Sequence, residues 1–507
     1  MNLGQRYDRR RFLKETAVAG TALALSATPA RVRAATATDQ RPNILFAVGD
    51  DWGWPHCGAY GDKVVKTPVF DRVAREGVLF TNAFCASPSC TPSRGAILTG
   101  QAIHRLEDGG NLHSALSSKF RVYPDLLEEA GYFVGLQGKG WGPGNFKDSG
   151  WTRNPAGPSF KSFEEFLNKV PEGKPFCFWF GSFDPHRGYE KGSGVASGMK
   201  IEDVWVPAFW PDTPEVRSDI CDYYFEVQRA DRDTGEMIKL LEASGRLDNT
   251  VVVMTGDNGM PFPRCKANLY NYGTHQPLAV RWPARVKGGR TVDDFVVLTD
   301  IAPTFLEAVG LKPLPEMTGR SFLDLLTGEN PIRRDKVFLE RERHANVRKG
   351  DASYPCRAIR TREFLYIRNL RPDLWAAGDP EKWMAVGPYG DVDGGPTKDV
   401  ILSRRDDPKM AEFFALSFAK RPAEELYDLA KDLFEINNVA DKPDYAKAKK
   451  KLRAELDRWM AETGDPRAKN PADDRWDRYR YYGAPAKEEA AKAQPAKRDE
   501  KKNKKTL

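Results

Sequence analysis

The chain has 507 residues, of which 40% are hydrophobic and 29% charged, a globular composition long enough for one large and one smaller domain. Its net charge of +7 comes from the two ends, because residues 1–35 hold seven Lys or Arg against two acids and residues 485–507 hold eight against four. The remainder is close to neutral, which excludes the global positive field of a typical nucleic-acid-binding protein. No run after residue 40 is long and apolar enough to span a bilayer.

The N-terminal segment has the features of an export signal. Residues 9–14 (RRRFLK) resemble a twin-arginine motif, an apolar run follows at 17–27, and residues 35–37 (ATA) offer an A-x-A cleavage site. We therefore predict that residues 1–37 are an export signal for the twin-arginine translocase. The mature protein would then be periplasmic or secreted by a bacterium. The alternative is a disordered basic N-terminus.

Strand-like runs alternate with helical patterns in the first two thirds of the mature chain. Buried strands are predicted at residues 43–48, 133–137, 176–182 and 250–255, and helices at 68–76, 123–130 and 216–244. This alternation predicts a parallel sheet with helices on both faces. Polar residues come directly after several of the strands, and functional sites in such sheets form beyond the carboxyl ends of the strands.

The pattern changes near residue 355. Residues 357–361 and 364–368 predict a hairpin, and residues 445–462 predict a terminal helix. We therefore predict a large domain over 41–355, a smaller α+β domain over 356–470, and a disordered Lys- and Ala-rich tail over 471–507. The seven cysteines show no C-x-x-C spacing, which argues against a zinc site or a disulfide framework.

The most informative segment is residues 89–100 (SCTPSRGAILTG). Pro92 suits the first turn of a helix, so Cys90 would stand at the helix start, where the helix dipole favours an anion. Arg94 lies one turn further on the same face and can reach back to a charged group at position 90. This pattern resembles the signature of type I sulfatases. The resemblance implies that a formylglycine-generating enzyme oxidises Cys90 to formylglycine, whose hydrated aldehyde is the nucleophile.

Two acidic pairs follow predicted strands: Asp50 and Asp51 after the first, and Asp257 and Asn258 after strand 250–255. Adjacent carboxylates repel unless a cation lies between them, and four oxygen ligands suit Ca²⁺ better than a soft metal. The alternative is that these residues cap loops and turns. The sulfatase resemblance implies that the four residues, with the oxygen of the modified Cys90, hold one calcium ion.

Lys139 also follows a predicted strand, in a segment where sulfatases carry Gly-Lys-x-His. This chain retains the lysine but has Trp141 in place of the histidine, and an indole can donate one hydrogen bond but cannot transfer a proton. The resemblance assigns Lys139 to the sulfate group and leaves the role of the histidine open. His104, His113 and His275 are candidates for it, with His104 and His113 expected to bind substrate. The alternative for each is a structural histidine.

The segment 184–187 (DPHR) follows another predicted strand. The resemblance implies that His186 is the general acid at the leaving group. Arg187 either contacts the substrate or pairs with an acid. After the D-N-G turn, sulfatases place a basic residue that binds sulfate oxygens, and the spacing favours Lys266, with Arg264 as its competitor. The expected catalytic residues are Cys90, Arg94, Lys139, His186 and Lys266.

The resemblance covers nearly the whole mature chain and implies the alkaline-phosphatase-like sulfatase fold. That fold has a large, mixed, mostly parallel sheet with helices on both faces, and a smaller C-terminal α+β domain with an antiparallel sheet. Within the family the chain most resembles the heparan N-sulfatases. The segments that carry this resemblance are 184–187 (DPHR), 206–214 (VPAFWPDTP), 257–263 (DNGMPFP) and 353–357 (SYPCR).

The expected reaction is the hydrolysis of N-sulfo glucosamine or O-sulfate ester groups in a sulfated carbohydrate. One alternative is another hydrolase on the same scaffold, either an O-sulfatase for a different polysaccharide or a phosphonate or phosphate-ester hydrolase. A second alternative is a catalytically inactive, sulfatase-like glycan-binding protein, for which Trp141 is the supporting residue.

Overall fold

The structure is a computed structural model that describes residues 41–383 and 387–483. The predicted export signal and residues 484–507 of the predicted tail lie outside the described residues. No helix in the described part of the chain has both the length and the apolar character needed to cross a bilayer.

The larger sheet has eight strands in the order β3-β4-β1-β5-β6-β2-β7, with β8 also paired to β2. Its strands are β1 Asn43–Gly49, β2 Val78–Phe84, β3 Phe133–Gly138, β4 Phe176–Gly181, β5 Thr250–Gly256, β6 His275–Arg281, β7 Arg290–Val292 and β8 Val296–Val297. Strands β3, β4, β1 and β5 are parallel, β6 is antiparallel to both neighbours, and β7 and β8 are parallel to β2. The predicted mixed and mostly parallel sheet is confirmed.

Helices cover both faces of this sheet. Successive residues of a strand point to opposite sides, so that each strand contributes side chains to two cores. In β1, Leu45 and Ala47 pack into one core, whereas Ile44 and Phe46 pack into the other. The helices are α1 Pro68–Glu76, α2 Cys90–Thr99, α3 Tyr123–Glu129, α4 Phe163–Lys169, α5 Ser193–Ala196, α6 Pro214–Ala243, α7 Asn271–Thr274, α8 Ile301–Ala308, α9 Leu323–Thr327, α10 Pro396–Ser403, α11 Ala411–Phe418, α12 Ala446–Glu462, α13 Pro466–Lys469 and α14 Arg475–Arg478.

The local sequence determines where helix α6 begins. Thr213 accepts a hydrogen bond from the Val216 backbone N–H through its hydroxyl, and Pro214 occupies the first helical position, where no donor is lost.

Strand β6 was not predicted, because Pro277 interrupts a run that otherwise reads as a strand. The short strands β7 and β8 were also missed, since they depend on pairing with β2.

A second, antiparallel sheet has the order β12-β11-β10-β9. Its strands are β9 Lys336–Arg341, β10 Cys356–Thr361, β11 Phe364–Asn369 and β12 Glu424–Asp428. One face packs Leu339 and Ile367 against Phe84, and the other packs Ile359 against Leu456 of α12. The predicted hairpin and terminal helix are present, and strand β9 precedes residue 356, the predicted start of the smaller domain.

The prediction that the chain is disordered from residue 471 is wrong for residues 471–483. Trp476 in α14 is fully buried, and its indole N–H donates to the Glu107 carbonyl at 3.1 Å. The Asn111 side chain donates to the Trp476 carbonyl at 3.1 Å. Residues 471–483 contain no lysine, and their one tryptophan supplies a large apolar surface for docking; the Lys- and Ala-rich composition belongs to the residues that follow.

Candidate active site

The carboxyl ends of the four parallel strands meet at one edge of the larger sheet. The strand register pairs Gly49 with Gly256 and both Val48 and Gly138 with Gly181, so β1, β5, β3 and β4 all end at the same level. The residues that follow these four ends include the predicted site residues Asp50, Asp51, Lys139, His186, Arg187, Asp257 and Asn258. Parallel pairing therefore brings together residues that are more than 200 positions apart in the chain.

Close backbone contacts at this edge require glycine. A Cβ on Gly181 would lie 1.7 Å from the Lys139 carbonyl oxygen, and one on Gly256 would lie 1.9 Å from the Trp52 carbonyl oxygen. Asp51 has a positive φ of 70°, a conformation that is uncommon for a residue with a side chain. Its backbone N–H donates to Asp257 at 2.9 Å, which holds the two acidic strand ends together.

Cys90 is the first residue of α2 and is almost fully buried. Its Sγ lies 3.3 Å from Asp50 Oδ1 and 3.7 Å from Asp51 Oδ1. Burial raises the pKa of the Cys90 thiol well above its ordinary value, and the charge of Asp50 adds to this effect. Because the thiolate is the nucleophilic form of cysteine, the unmodified thiol is poorly suited to attack a substrate here.

Three carboxylates surround Cys90. Oxygen atoms of Asp50, Asp51 and Asp257 and the sulfur of Cys90 all lie within 4.8 Å of one another. Asn258 donates to Asp51 Oδ1 at 2.7 Å through its side-chain nitrogen. Its Oδ1 is buried and has no hydrogen-bond partner among the described residues. An unpaired buried oxygen beside three carboxylates fits a hard, oxygen-preferring cation such as Ca²⁺.

Each carboxylate also contacts a buried cation. Lys139 Nζ lies 2.6 Å from both oxygens of Asp50, Arg94 Nε 2.7 Å from Asp257, and Lys266 Nζ 2.8 Å from Asp51.

These ion pairs determine which groups are charged. Burial acts to raise the pKa of Asp50, but Lys139 and Arg94, with smaller contributions from His186 and Lys266, hold that pKa well below its ordinary value. Burial alone would lower the pKa of Lys139, yet the neighbouring Asp50 raises it. The lysine therefore stays protonated beside an ionised Asp50.

His186 stands at the mouth of the pocket, with 38% of its side chain exposed and its Nε2 3.9 Å from Asp51 Oδ2. Its Nδ1 makes a short hydrogen bond to the Arg187 carbonyl. Because a carbonyl oxygen only accepts, Nδ1 must carry the hydrogen. Nε2 is left facing the pocket, where it can hold or release a proton.

Arg187 pairs with an acid, which was one of its two predicted roles. Its two terminal nitrogens each lie 2.8 Å from an oxygen of Asp219, and its Nε donates to the Pro261 carbonyl at 2.8 Å. The guanidinium thus has no free face for substrate. Arg264, the competitor of Lys266, bonds the carbonyls of Leu416 and Glu435 and lies away from Cys90.

The structure does not bring two of the predicted histidines to the site. Both ring nitrogens of His104 are engaged, Nδ1 with Glu340 at 2.7 Å and Nε2 with the Thr463 carbonyl at 3.3 Å. His275 is stacked between Trp54 and Phe84 in the core. Both are therefore structural histidines, and the expectation that His104 binds substrate is corrected.

His113 lies close to the pocket. Burial lowers its pKa to about 4, with further lowering by the positive charges of Lys266 and Lys139. Trp141 is buried, and a Cβ on Gly95 of α2 would lie 3.6 Å from its indole nitrogen. The tryptophan thus packs against α2, and its buried indole N–H has no hydrogen-bond partner among the described residues.

Two residues near the pocket were missed by sequence reasoning. His344 Nδ1 and the Ser89 hydroxyl form a hydrogen bond at 2.8 Å, one residue before Cys90. Asp393 Oδ2 lies 3.2 Å from Lys266 Nζ. Both come from loops of the C-terminal third of the chain, and no motif or strand end in the sequence points to either.

Comparison with known proteins agrees with this geometry. The family model described as Sulfatase matches residues 42–311, and one described as N-sulphoglucosamine sulphohydrolase, C-terminal, matches residues 265–382. The chain is 31% identical over 473 residues to N-sulphoglucosamine sulphohydrolase of Homo sapiens, covering 84% of this chain and 91% of that relative. It is 28% identical over 487 residues to an ulvan-active sulfatase of Formosa agariphila, covering 84% and 76%.

A solved structure of a protein in complex with its substrate D-glucosamine-2-N,6-O-disulfate shares the fold, with a TM-score of 0.59 at 20% identity over 85% of this chain and 99% of that chain. The family match, the human relative and the shared fold agree with one another. The chain belongs to the sulfatase family and is a hydrolase that cleaves sulfate esters or sulfamates.

Proposed function

We propose that the protein removes sulfate from N-sulfo glucosamine residues of sulfated glycans, with formylglycine formed from Cys90 and with one bound Ca²⁺. The observation that carries this proposal is the setting of Cys90. Its thiol is buried at the start of α2 between three carboxylates and three cations, where a thiolate is disfavoured. The similarity to N-sulphoglucosamine sulphohydrolase supports the choice of an N-sulfo sugar.

The proposed mechanism gives each residue of the site a separate role. Asp50, Asp51, Asp257 and Asn258 would hold Ca²⁺, which when bound would supply positive charge to neutralise part of the charge of the sulfate. The hydrated aldehyde at position 90 would supply a hydroxyl nucleophile.

The remaining steps belong to residues that the structure describes. Lys139 and Lys266 add positive charge around the sulfate, and Arg94 keeps Asp257 in place. His186, with its Nδ1 hydrogen committed to the Arg187 carbonyl, would transfer a proton from Nε2 to the leaving nitrogen or oxygen. We propose His113 as a further substrate contact, because it lies near the same cations.

The biosynthetic part of the proposal rests on the sequence. A formylglycine-generating enzyme would modify Cys90. The twin-arginine translocase would export the chain to the periplasm or the medium, because residues 9–14 resemble a twin-arginine motif. We also propose the predicted boundaries of the large and smaller domains at residues 355 and 356.

The alternative functions have different signatures. An O-sulfatase for another polysaccharide, which the similarity to ulvan-active sulfatases favours, would release sulfate from O-sulfated and not N-sulfated sugars. A phosphonate or phosphate-ester hydrolase would prefer phosphorylated to sulfated aryl esters. An inactive glycan-binding protein would bind sulfated glycans without turnover and would retain binding after Cys90→Ala.

The test combines mass spectrometry with a matched pair of cysteine variants. Peptide mass spectrometry of active protein is expected to show the thiol-to-aldehyde change at residue 90. Cys90→Ala should lower sulfate release from N-sulfo glucosamine by on the order of 10⁴-fold or more, because the nucleophile is lost. Cys177→Ala, which removes another buried thiol from strand β4, should retain activity. A thiol at residue 90 in active protein would show that the proposed nucleophile is wrong.

A further inference from the structure

The loop that precedes α10 is anchored from several sides. Lys398 Nζ donates to the carbonyls of Tyr389 and Val392 at 3.0 and 2.8 Å. Asp391 is fully buried and pairs with Arg341 and Arg348, each at 2.5 Å. These contacts satisfy the polar groups on either side of residue 393 and fix the backbone that carries it.

Asp393 itself is held toward the pocket but is incompletely bonded. Its Oδ2 lies 3.2 Å from Lys266 Nζ, and 31% of its side chain is exposed. Among the described residues, this buried oxygen accepts no hydrogen bond of ordinary geometry. Lys266 in turn lies 2.8 Å from Asp51 Oδ2, the same oxygen that His186 Nε2 approaches at 3.9 Å. Asp393 therefore has spare acceptor capacity beside the proposed acid.

Asp219 links the loop that carries His186 to the loop that carries Asp393. One of its oxygens accepts from the Thr397 backbone N–H at 3.1 Å and from the Thr397 hydroxyl at 2.6 Å, at the start of α10. The same carboxylate binds both terminal nitrogens of Arg187, the residue after His186. A single buried acid thus joins the two segments that bear the partly exposed groups at the pocket mouth.

The leaving atom would lie at this mouth, with the sulfate group inside near Lys139 and Lys266 and the sugar outside. Before a sulfamate is cleaved, a proton from His186 would pass to its nitrogen, which then carries a positive charge. The S–N bond would break with its electron pair on nitrogen, so that the amine leaves neutral, while the sulfo group passes to one hydroxyl oxygen of the nucleophile and that hydroxyl loses its proton. The second hydroxyl would then lose its proton, the C–O bond to the sulfo group would break, and sulfate would leave as the aldehyde returns. On a sulfate ester, the leaving oxygen instead develops negative charge, which the proton from His186 cancels.

We propose that Asp393 makes this site selective for N-sulfated over O-sulfated sugars by accepting a hydrogen bond from the positively charged leaving nitrogen. This inference rests on the proposed function. A carboxylate at this position stabilises positive charge on the leaving atom and opposes negative charge there. The competing explanation is that Asp393 only orients Lys266, which would affect both kinds of substrate equally.

A pair of substrates that differ only in the leaving atom separates these explanations. Sulfate release is measured from N-sulfo glucosamine and from glucose 2-O-sulfate with wild type, Asp393→Asn and Asp393→Glu. A matched control is Asp399→Asn, which makes the same change at an exposed acid in α10.

Asp393→Asn should lower kcat/KM for the N-sulfated sugar by on the order of 10- to 100-fold, the range of a charge-assisted hydrogen bond. It should leave turnover of the O-sulfated sugar unchanged or faster. Asp393→Glu should recover part of the N-sulfate activity, because it restores the charge, and Asp399→Asn should change neither substrate. An equal loss on both substrates would overturn the inference and leave the proposed function intact. A wild-type protein that acts only on the O-sulfated sugar would overturn both.

Binding of the amine product provides a readout that needs no turnover. Calorimetric titration of Cys90→Ala protein with glucosamine and N-acetylglucosamine should show tighter binding of glucosamine, whose ammonium group can reach Asp393. In Cys90→Ala/Asp393→Asn protein this preference should fall by on the order of tenfold. Equal preference in the two proteins would refute a contact between Asp393 and the amine.

Discussion

Among the described residues, two of the buried clusters of charged side chains have similar residue types, and we propose that one is catalytic and the other structural. The first, called the catalytic cluster, consists of Asp50, Asp51, Cys90, Arg94, Lys139, Asp257, Asn258 and Lys266. The Arg357 cluster consists of His104, Glu340, Glu342, Arg357, Asp465 and Arg467. Each contains at least three potential metal-ligand atoms within 4.8 Å of one another.

The clusters differ in whether all their buried polar side-chain atoms have hydrogen-bond partners among the described residues. In the Arg357 cluster, the Arg357 guanidinium lies among the acids, 2.7 Å from Asp465 and 2.7 Å from Glu342, and Arg467 binds both oxygens of Glu342 at 2.9 Å. The catalytic cluster has the unpaired Asn258 oxygen. In the Arg357 cluster two planar guanidinium groups bond the acids, whereas in the catalytic cluster the buried Asn258 oxygen stays available to a cation.

The largest expected contrast comes from removing the central arginine of each cluster. Arg357→Met should lower the free energy of unfolding by about 3–5 kcal/mol, because it leaves buried acids without their partner. Its kcat/KM should stay near wild type while the protein is folded. Arg94→Met should lower sulfate release by on the order of 10²- to 10³-fold, because Asp257 loses its partner beside the nucleophile.

Urea unfolding and steady-state kinetics of both variants check this contrast. If Arg357→Met lost as much activity per folded molecule as Arg94→Met, the two clusters would not be functionally separate.

Calcium removal should have the second-largest effect, and it should also distinguish the two clusters. Chelation is expected to abolish sulfate release. It should also lower the free energy of unfolding by about 2.7 kcal/mol, compared with protein at a calcium concentration about 100 times Kd. Added Ca²⁺ should restore both. Thermal unfolding with and without Ca²⁺ measures the effect in wild type, Asp257→Asn and Glu340→Gln.

The calcium-dependent stabilisation should disappear in Asp257→Asn and persist in Glu340→Gln, even though the latter is less stable. A stabilisation that persisted in Asp257→Asn would place the ion elsewhere.

The smallest expected effect is the pH dependence of two buried histidines. Burial acts to lower the pKa of His104, but the adjacent Glu340 outweighs it and the pKa is raised. The resulting stabilisation is complete below the unfolded pKa of about 6.5 and is lost as pH rises through the raised folded pKa. The wild-type advantage over His104→Asn in free energy of unfolding should therefore be greatest near pH 6 and fall toward alkaline pH.

His275 should show the opposite sign. Burial lowers its pKa to about 3, so folding is disfavoured as pH falls below about 6.5, where the unfolded chain takes up a proton and the folded chain does not. His275→Phe should lose less stability than wild type between pH 7 and 5. Urea unfolding across pH 5–9 checks both histidines, and equal pH dependence of the two variants would contradict these assignments.

The catalytic strand ends were predictable because their signals are local. Asp50, Asp51, Asp257 and Asn258 each follow a continuous apolar run, and parallel pairing necessarily gathers such ends at one edge. Cys90 was predictable because Pro92 and Arg94 lie within one helical turn of it. His104 was misassigned for the complementary reason. The residue that engages it, Glu340, is 236 positions away and lies in a strand of the second sheet.

The sequence by itself therefore determined the fold class, the family, the position of Cys90 at a helix start and the acidic strand ends, since each depends on short-range spacing or on the periodicity of apolar residues. Only the tertiary structure decided which histidines lie near the pocket, that Trp141 packs against α2, that Arg187 is bound by Asp219, and that Asp393 faces Lys266. Those outcomes depend on contacts between residues far apart in the chain, where burial and pairing, and not residue type, determine what a side chain can do.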